Sequence, residues 1–380
     1  MNYENFDRIV SAFERNPLAV QEAKEQGRKV VGTYCLYSPS EIAVAAGAIP
    51  VSLCGTRNDS IPVAEEILPR ALCPLIKSSF GFALKESCPY LVAADVVVAD
   101  TTCDGKKKMY ELLQEFKPIF LLQLPQIQNE EALAYWRHQF ELLIVYLEKE
   151  FAVSITEEKL RDAIKLMNRE RLALKAVMDL ARRKPSPLSG MRMVEIGFKT
   201  AFFPDKEKGI EMMLALADEV TKKVDAGAES PFTVDTPRIL LTGVPVGMGS
   251  HKVVRLVEEC GGNVVCLDNC SGYKKTRVMM DETGDPLTEM ARRYLEVPCS
   301  IMSPNPNRYS AIREMAADFT VDAIIDLTWQ GCQTYAVESH SLKKFVQDEL
   351  KLPFLQLETD YSETDSEQLK VRIEAFLEML

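Results

Sequence analysis

Ten cysteines stand in a chain that has only three histidines. Five of them, Cys35, Cys54, Cys103, Cys270 and Cys332, each follow within a few residues a short apolar run that reads as a strand. A sixth, Cys73, directly precedes Pro74. In an α/β protein the turns that leave parallel strands gather on one edge of the sheet, where ligands bind. Thiols scattered from residue 35 to residue 332 can therefore converge there. Thiolate is the form that ligates iron, so the chemistry on offer is ligation of a metal cluster. No Cys-x-x-Cys occurs, so the zinc-ribbon, thioredoxin and bacterial-ferredoxin spacings are missing and any cluster must be assembled from distant loops. His138, His251 and His340 lie far apart in sequence, which argues against a histidine-rich zinc or copper site.

Several of these cysteines stand where a helix begins. Cys73 precedes Pro74, Cys103 precedes Asp104-Gly105, and Cys332 precedes the helical stretch QTYAVESHSLKKFV. A helix N-terminus carries partial positive charge and free N–H groups, which lower a thiol's pKa and donate to sulfur. Cys260 and Cys266, in the helix KVVRLVEEC and the strand NVVCLDN, read as small core residues. Cys88 and Cys299 each adjoin a proline and neither clearly ends a strand. Lys106-Lys107-Lys108 opposes the dipole of the helix it opens, which an anionic neighbour or plain solvation would offset.

The elements that must position these thiols fall into three blocks. VVGTYC (30–35), AIPVSLC (48–54) and PIFLLQL (118–124) read as strands, LVAADVVVAD (91–100) holds a further strand, and helices lie between them. Ser38, Pro39 and Glu41 have the spacing of a capping box opening the first of those helices. Residues 129–230 are helical in period apart from a break at 184–190 and an exposed linker at 226–237. RILLTG (238–243), NVVCLDN (263–269), DAIIDLT (322–328) and PFLQLE (353–358) form a second strand series, and SEQLKVRIEAFLEML closes the chain as a helix. The expected fold is α/β, with two Rossmann-like, doubly wound parallel-sheet domains, 1–128 and 231–380, joined by a helical segment at 129–230.

Composition narrows the function. The 380 residues suffice for two domains with substantial cores. A net charge of −11 argues against a general nucleic-acid binder. No apolar run approaches the roughly 20 residues that span a bilayer, and a cytoplasmic protein is expected. GVPVGMGSHK (243–252) is a glycine-rich turn that can cradle phosphate or simply join a strand to a helix, and it lacks a Walker A ending. Arg308 and Arg277 are candidates for binding anionic groups of a substrate. Glu358 and Asp360, after the last strand, are candidates for proton handling or for a loop and helix cap.

GTYCLYSPSEIAVAAGAIPVSLC, LCPLIKSSFGF, CPYLVAADVVVADTTCDGKKKMYELL, DNCSG and CQTYAVES resemble the 2-hydroxyacyl-CoA dehydratase D-component superfamily, which includes benzoyl-CoA reductase subunits. The resemblance covers nearly the whole chain. The Cys54 context, Cys-Pro-Tyr at 88 and TTCDGKKKMYE are most similar to its double-cubane cluster proteins. That branch implies two linked four-iron cubanes on a homodimer, fed with low-potential electrons by a separate ATP-hydrolysing iron–sulfur reductase, or activator. The superfamily's usual cubane ligands carry over to Cys73, Cys103 and Cys332. For the second cubane, strand-end placement selects Cys35, Cys54 and Cys270, with Cys88 and Cys299 in reserve. The expected function is low-potential reduction of a small-molecule substrate. The alternatives are a dehydratase subunit with a single cubane and a non-catalytic iron–sulfur electron carrier.

Overall fold

The computed structural model describes residues 2–380. Strands β1 (Val30–Tyr34), β2 (Ile49–Leu53), β3 (Val96–Asp100) and β4 (Ile119–Leu122) form one sheet in the order β2-β1-β3-β4, all parallel. Strands β5 (Arg238–Gly243), β6 (Asn263–Asp268), β7 (Ala323–Trp329) and β8 (Phe354–Thr359) repeat that order as β6-β5-β7-β8, again all parallel. Every residue of β1, β3, β5, β6 and β7 is buried, as strands covered by helices on both faces must be. The molecule is therefore a pair of Rossmann-like α/β units. In this strand order the switch points lie between β1 and β3 and between β5 and β7, and a crevice opens at the carboxyl end of each.

The sequence reading places the strands within one or two residues, and the run 91–100 divides between a helical turn and a strand. Leu91–Ala93 belong to the short helix Pro89–Ala93, and β3 starts only at Val96. Pro89 supplies a preset φ and needs no N–H partner, so it opens a helical turn instead of extending the strand. Helices Glu130–Phe151, Glu157–Asp179, Gly190–Thr200 and Lys206–Asp225 fill the middle of the chain. Asn129, Thr156, Ser189 and Asp205 cap them, each accepting from a backbone N–H three residues on.

The capping box at Ser38–Glu41 does not form. Pro39 is the N-cap of the helix Ser40–Ala45, and no side chain caps it. The Ser38 hydroxyl instead donates to the Tyr34 carbonyl at 2.7 Å. Glu41 is wholly buried, pairs with Arg171 of the helix Glu157–Asp179 and accepts from the Tyr294 hydroxyl at 2.7 Å. A buried guanidinium needs a carboxylate more than a helix end needs a cap, because leaving it unpaired costs several kcal/mol. Glu41 thereby ties the first lobe to the helical segment and to the second lobe.

Two close approaches of backbone set the crevice walls. Gly331 has φ +76°, and a Cβ there would lie 2.4 Å from the Ala71 carbonyl oxygen and 3.1 Å from the Cys73 nitrogen. At Gly55 a Cβ would lie 2.3 Å from the Ser79 nitrogen. Glycine at 331 thus lets the Cys332 turn of one lobe seat against the Cys73 turn of the other. Replacing Gly331 by Ala should lower stability by roughly 1–3 kcal/mol in urea unfolding; an unchanged midpoint would mean that the two turns do not press together.

Glu258 anchors the N-terminus of the helix Gly190–Thr200, accepting from the backbone N–H groups of Gly190 and Met191. Burial raises its pKa from 4.5 to about 7, although those two N–H groups pull it down. A carboxyl whose folded pKa is raised holds its proton more tightly in the folded state. Its contribution to stability is complete below pH 4.5 and is lost as pH climbs through about 7. The Glu258→Gln variant should therefore lose less stability than the parent between those two pH values. Parallel pH profiles of parent and variant would contradict this.

Candidate cluster-binding site

A cavity of about 520 Å³ is lined by Cys35, Cys73, Cys103, Cys270, Cys299 and Cys332. Cys35 follows β1, Cys103 follows β3, Cys270 follows β6 and Cys332 follows β7, so the carboxyl edges of both sheets contribute. A smaller pocket of about 130 Å³ shares Cys35, Cys270 and Pro245 with the first and adds Cys54. Five of the six ligands expected from sequence thus line the larger cavity, and Cys54 stands next door. Cys299, held in reserve, takes the sixth place, which its position in an irregular turn gave no reason to expect.

Three of the thiols sit where the local sequence begins a helix. Cys73, Cys103 and Cys332 are the N-cap residues of the helices Pro74–Leu84, Asp104–Leu113 and Gln333–Phe345. The Leu75 and Ile76 N–H groups point at Cys73, that of Lys106 at Cys103, and that of Tyr335 at Cys332. These donors favour thiolate. Cys73 and Cys332 also touch. The Cys73 thiol donates to Cys332, and that bond, with the Tyr335 N–H and the Thr334 hydroxyl, outweighs burial and brings Cys332 down to about 7. Cys73, sharing its proton with Cys332 and buried, is pushed up.

The other thiols are drier. A hydrogen bond with Cys270 and then burial raise Cys35 well above the ordinary thiol value. Burial raises Cys54 to about 12 and Cys299 to about 11. The cation that works against this at Cys35, Cys54 and Cys103 is Lys106. Burial pulls the Lys106 ammonium down, but Cys35, Tyr110, Asp100 and Cys103 together raise it above its usual value. The lysine triplet thus divides, with Lys106 buried among the thiols and Lys107 and Lys108 exposed. Asp100, at the end of β3, is pushed up to about 6 by burial.

The remaining candidates lie elsewhere. Cys266 is buried within β6, and Cys260 is half-buried at the end of the helix Lys252–Glu259. Cys88 caps the helix Pro89–Ala93 and lines neither pocket, although it adjoins Cys54. Glu358 and Asp360 line a separate depression with Ser362 and Asp365, and Asp360 accepts from the Ser362 N–H and hydroxyl at 2.8 and 2.7 Å. Arg308 is 1% exposed, held by Glu338, Asp268 and Thr242, and lines neither pocket. Arg277 pairs with Glu314. The glycine-rich turn after β5 is filled by packing. A Cβ at Gly247 would lie 2.6 Å from the Phe198 ring, and the Thr56 hydroxyl donates to the Met248 carbonyl at 2.8 Å.

The donor set fits an iron–sulfur cluster. Among the described residues no three His, Cys, Asp or Glu side chains close on a single metal ion. A cluster makes no such demand, because its own atoms hold the ligand sulfurs apart. Six thiols around one enclosed space, with backbone N–H groups aimed at three of them and one buried cation among them, are what an anionic sulfide-rich group requires. Sequence reasoning missed Arg171, Lys275 and Arg293, which line the smaller pocket. Each sits in an ordinary helical context, and only the packing of distant helices brings them to Cys54.

Several known proteins are similar to this chain over nearly its whole length. YjiM of Escherichia coli, provisionally named a dehydratase subunit, is 43% identical over 376 residues, covering 99% of this chain and 97% of its own. The (R)-phenyllactyl-CoA dehydratase beta subunit of Clostridium sporogenes is 25% identical over 386 residues, 99% of this chain and 100% of its own. The lactoyl-CoA dehydratase beta subunit of Anaerotignum propionicum is 24% identical over 360 residues, 94% of this chain and 93% of its own. No helix among the described residues is long and apolar enough to cross a membrane. Residues 35–380 match the family described as 2-hydroxyglutaryl-CoA dehydratase, D-component, and the chain belongs to that family.

Proposed function

We propose that this chain is a reductase whose crevice holds two linked four-iron cubanes, with Cys73, Cys103 and Cys332 binding one and Cys35, Cys54 and Cys270 the other. It acts as a homodimer and receives electrons from a separate ATP-hydrolysing iron–sulfur reductase. When bound, such a centre supplies electrons at low potential and a place for a small substrate to bind. The observation that carries this reading is that five of these six thiols line one cavity together with Cys299, while Cys54 lines the pocket next to it, more thiols than a single cubane takes from this family's usual positions. The grouping into trios is supported by the pockets. Cys54 meets Cys35 and Cys270 in the smaller one, while Cys73, Cys103 and Cys332 line only the larger.

The chain's own residues have definite tasks in this reading. The N–H groups of Leu75, Ile76, Lys106 and Tyr335 stabilise charge on the first three sulfurs without moving a proton. Lys106 offsets the negative charge that bound thiolates and sulfides bring into a buried space. Tyr335 turns its hydroxyl into the polar wall behind the cavity, where the Lys274 ammonium donates to it at 3.2 Å. Glu358 and Asp360 line the separate depression, so no part of the reaction is assigned to them.

A dehydratase subunit with one cubane on Cys73, Cys103 and Cys332 is the second reading. It is favoured by the name of the phenyllactyl-CoA dehydratase relative, a beta subunit, which implies a non-identical partner. Counting iron and acid-labile sulfide per chain after strictly anaerobic purification separates the two. Two cubanes per chain are expected, and one would overturn the linked-cubane proposal in favour of the dehydratase subunit. Serine at Cys103 or Cys332 should reduce the iron content by about half or more, and serine at Cys266 should leave it unchanged. If Cys54→Ser keeps full iron while Cys299→Ser loses it, the sixth ligand is Cys299.

A further inference from the structure

The helix Glu130–Phe151 is apolar on both sides. Its inner face buries Trp136, Phe140, Leu143 and Leu147. On the outer face Glu131, Tyr135, His138, Leu142, Val145 and Lys149 are all exposed. Their alternating steps of four and three residues keep them within about 40° of one line along the helix, at roughly 100° per residue. That is the spacing of a seam packed on another helix. Tyr135, Leu142 and Val145, which fill its middle, are 45%, 43% and 63% exposed. The apolar surface also continues sideways. Tyr146, one turn from Leu142, has its ring 5.1 Å from that of Phe120 in β4. β4 is the last strand of its sheet, and its Ile119, Phe120 and Leu121 are only half-buried. An open apolar edge of this kind calls for a cover.

The charges say what covers it. Arg137 and His138 are both answered by Glu141. Glu131 and Lys149, at the two ends of the stripe, form no ion pair among the described residues. Turned end for end about residue 140, the stripe complements itself. A second copy running antiparallel sets its Lys149 against Glu131, its Val145 against Tyr135 and its Leu142 against His138. A parallel copy would set each charge against its like. Self-complementarity about a two-fold axis is what an interface between identical chains requires.

We propose that this face joins two copies of the chain, the helices Glu130–Phe151 crossing antiparallel and the edge of β4 extending the contact. The proposal rests on the homodimer named above, says where it forms, and is independent of which cysteines hold iron. A helix of 22 residues offers a strip about 33 Å long and about 10 Å wide. That is less than half of the roughly 800 Å² per partner in a stable interface, so the flank of Tyr146 and Phe120 belongs to the contact.

Sedimentation equilibrium of the anaerobically purified full chain tests this, with circular dichroism as the check on folding. The parent should be a dimer, and Leu142→Glu should weaken it at least about tenfold. Lys149→Glu should weaken it about threefold or more, and adding Glu131→Lys to that variant should restore the parent's affinity to within about twofold. The helix dipole alone favours glutamate at the start and lysine at the end. If the two charges serve only their own helix, the double variant recovers nothing. A dimer unmoved by Leu142→Glu, or a double variant without recovery, would overturn the seam and leave the homodimer standing. A monomeric parent would overturn both. Should Leu142→Glu fail to fold, Val145→Glu takes its place.

Discussion

Helix N-termini leave backbone N–H groups without partners, and in this molecule three of the helices that begin at a cysteine open onto one cavity. The rest of the site follows from that arrangement. Parallel sheets send every strand's carboxyl end the same way, so each lobe delivers its thiols to one edge. The two edges then face each other across a single cavity. Gly331 matters because it lets the Cys332 turn touch the Cys73 turn, where the two thiols share a proton. Thiols from opposite lobes are thereby held in contact.

Burial makes every charge along the crevice expensive, and most of them are answered. Lys106 serves the thiols, and its neighbours in the lysine triplet remain in solvent. In the second lobe Arg308 is paired with Glu338 and Asp268 and donates to Thr242, joining the elements around it. Arg171 pairs with Glu41. Arg238 has no carboxylate on its guanidinium, but backbone carbonyls accept from Nε and from both terminal nitrogens. Arg293 breaks this pattern, since it has neither a carboxylate nor a partner for Nη1, and the break lies beside the cysteines.

Much of this was legible in the sequence, for physical reasons. The strand positions and the parallel architecture followed from apolar runs separated by helical periods. Cys73, Cys103 and Cys332 could be placed because Pro74, Asp104 and the polar stretch after Cys332 mark helix starts. Other features were hidden because they depend on distant packing. Glu41 carries the local signal of a capping box, yet a guanidinium 130 residues away claims it. Cys299 has no strand before it, so its place in the cavity comes from the irregular turn that follows the helix Pro286–Leu295. Arg293 differs from its neighbours only in which carboxylates are already taken, and no local pattern encodes that.

In the proposed function the thiols of two facing sheet edges hold iron together. Anomalous difference density at the iron edge, from crystals grown and kept without oxygen, tests it most directly. Iron in contact with Cys73, Cys103 and Cys332, and a second group of irons in contact with Cys35 and Cys270, are expected. Crystals of folded protein with no iron-edge signal in that cavity, or with zinc in its place, would contradict it.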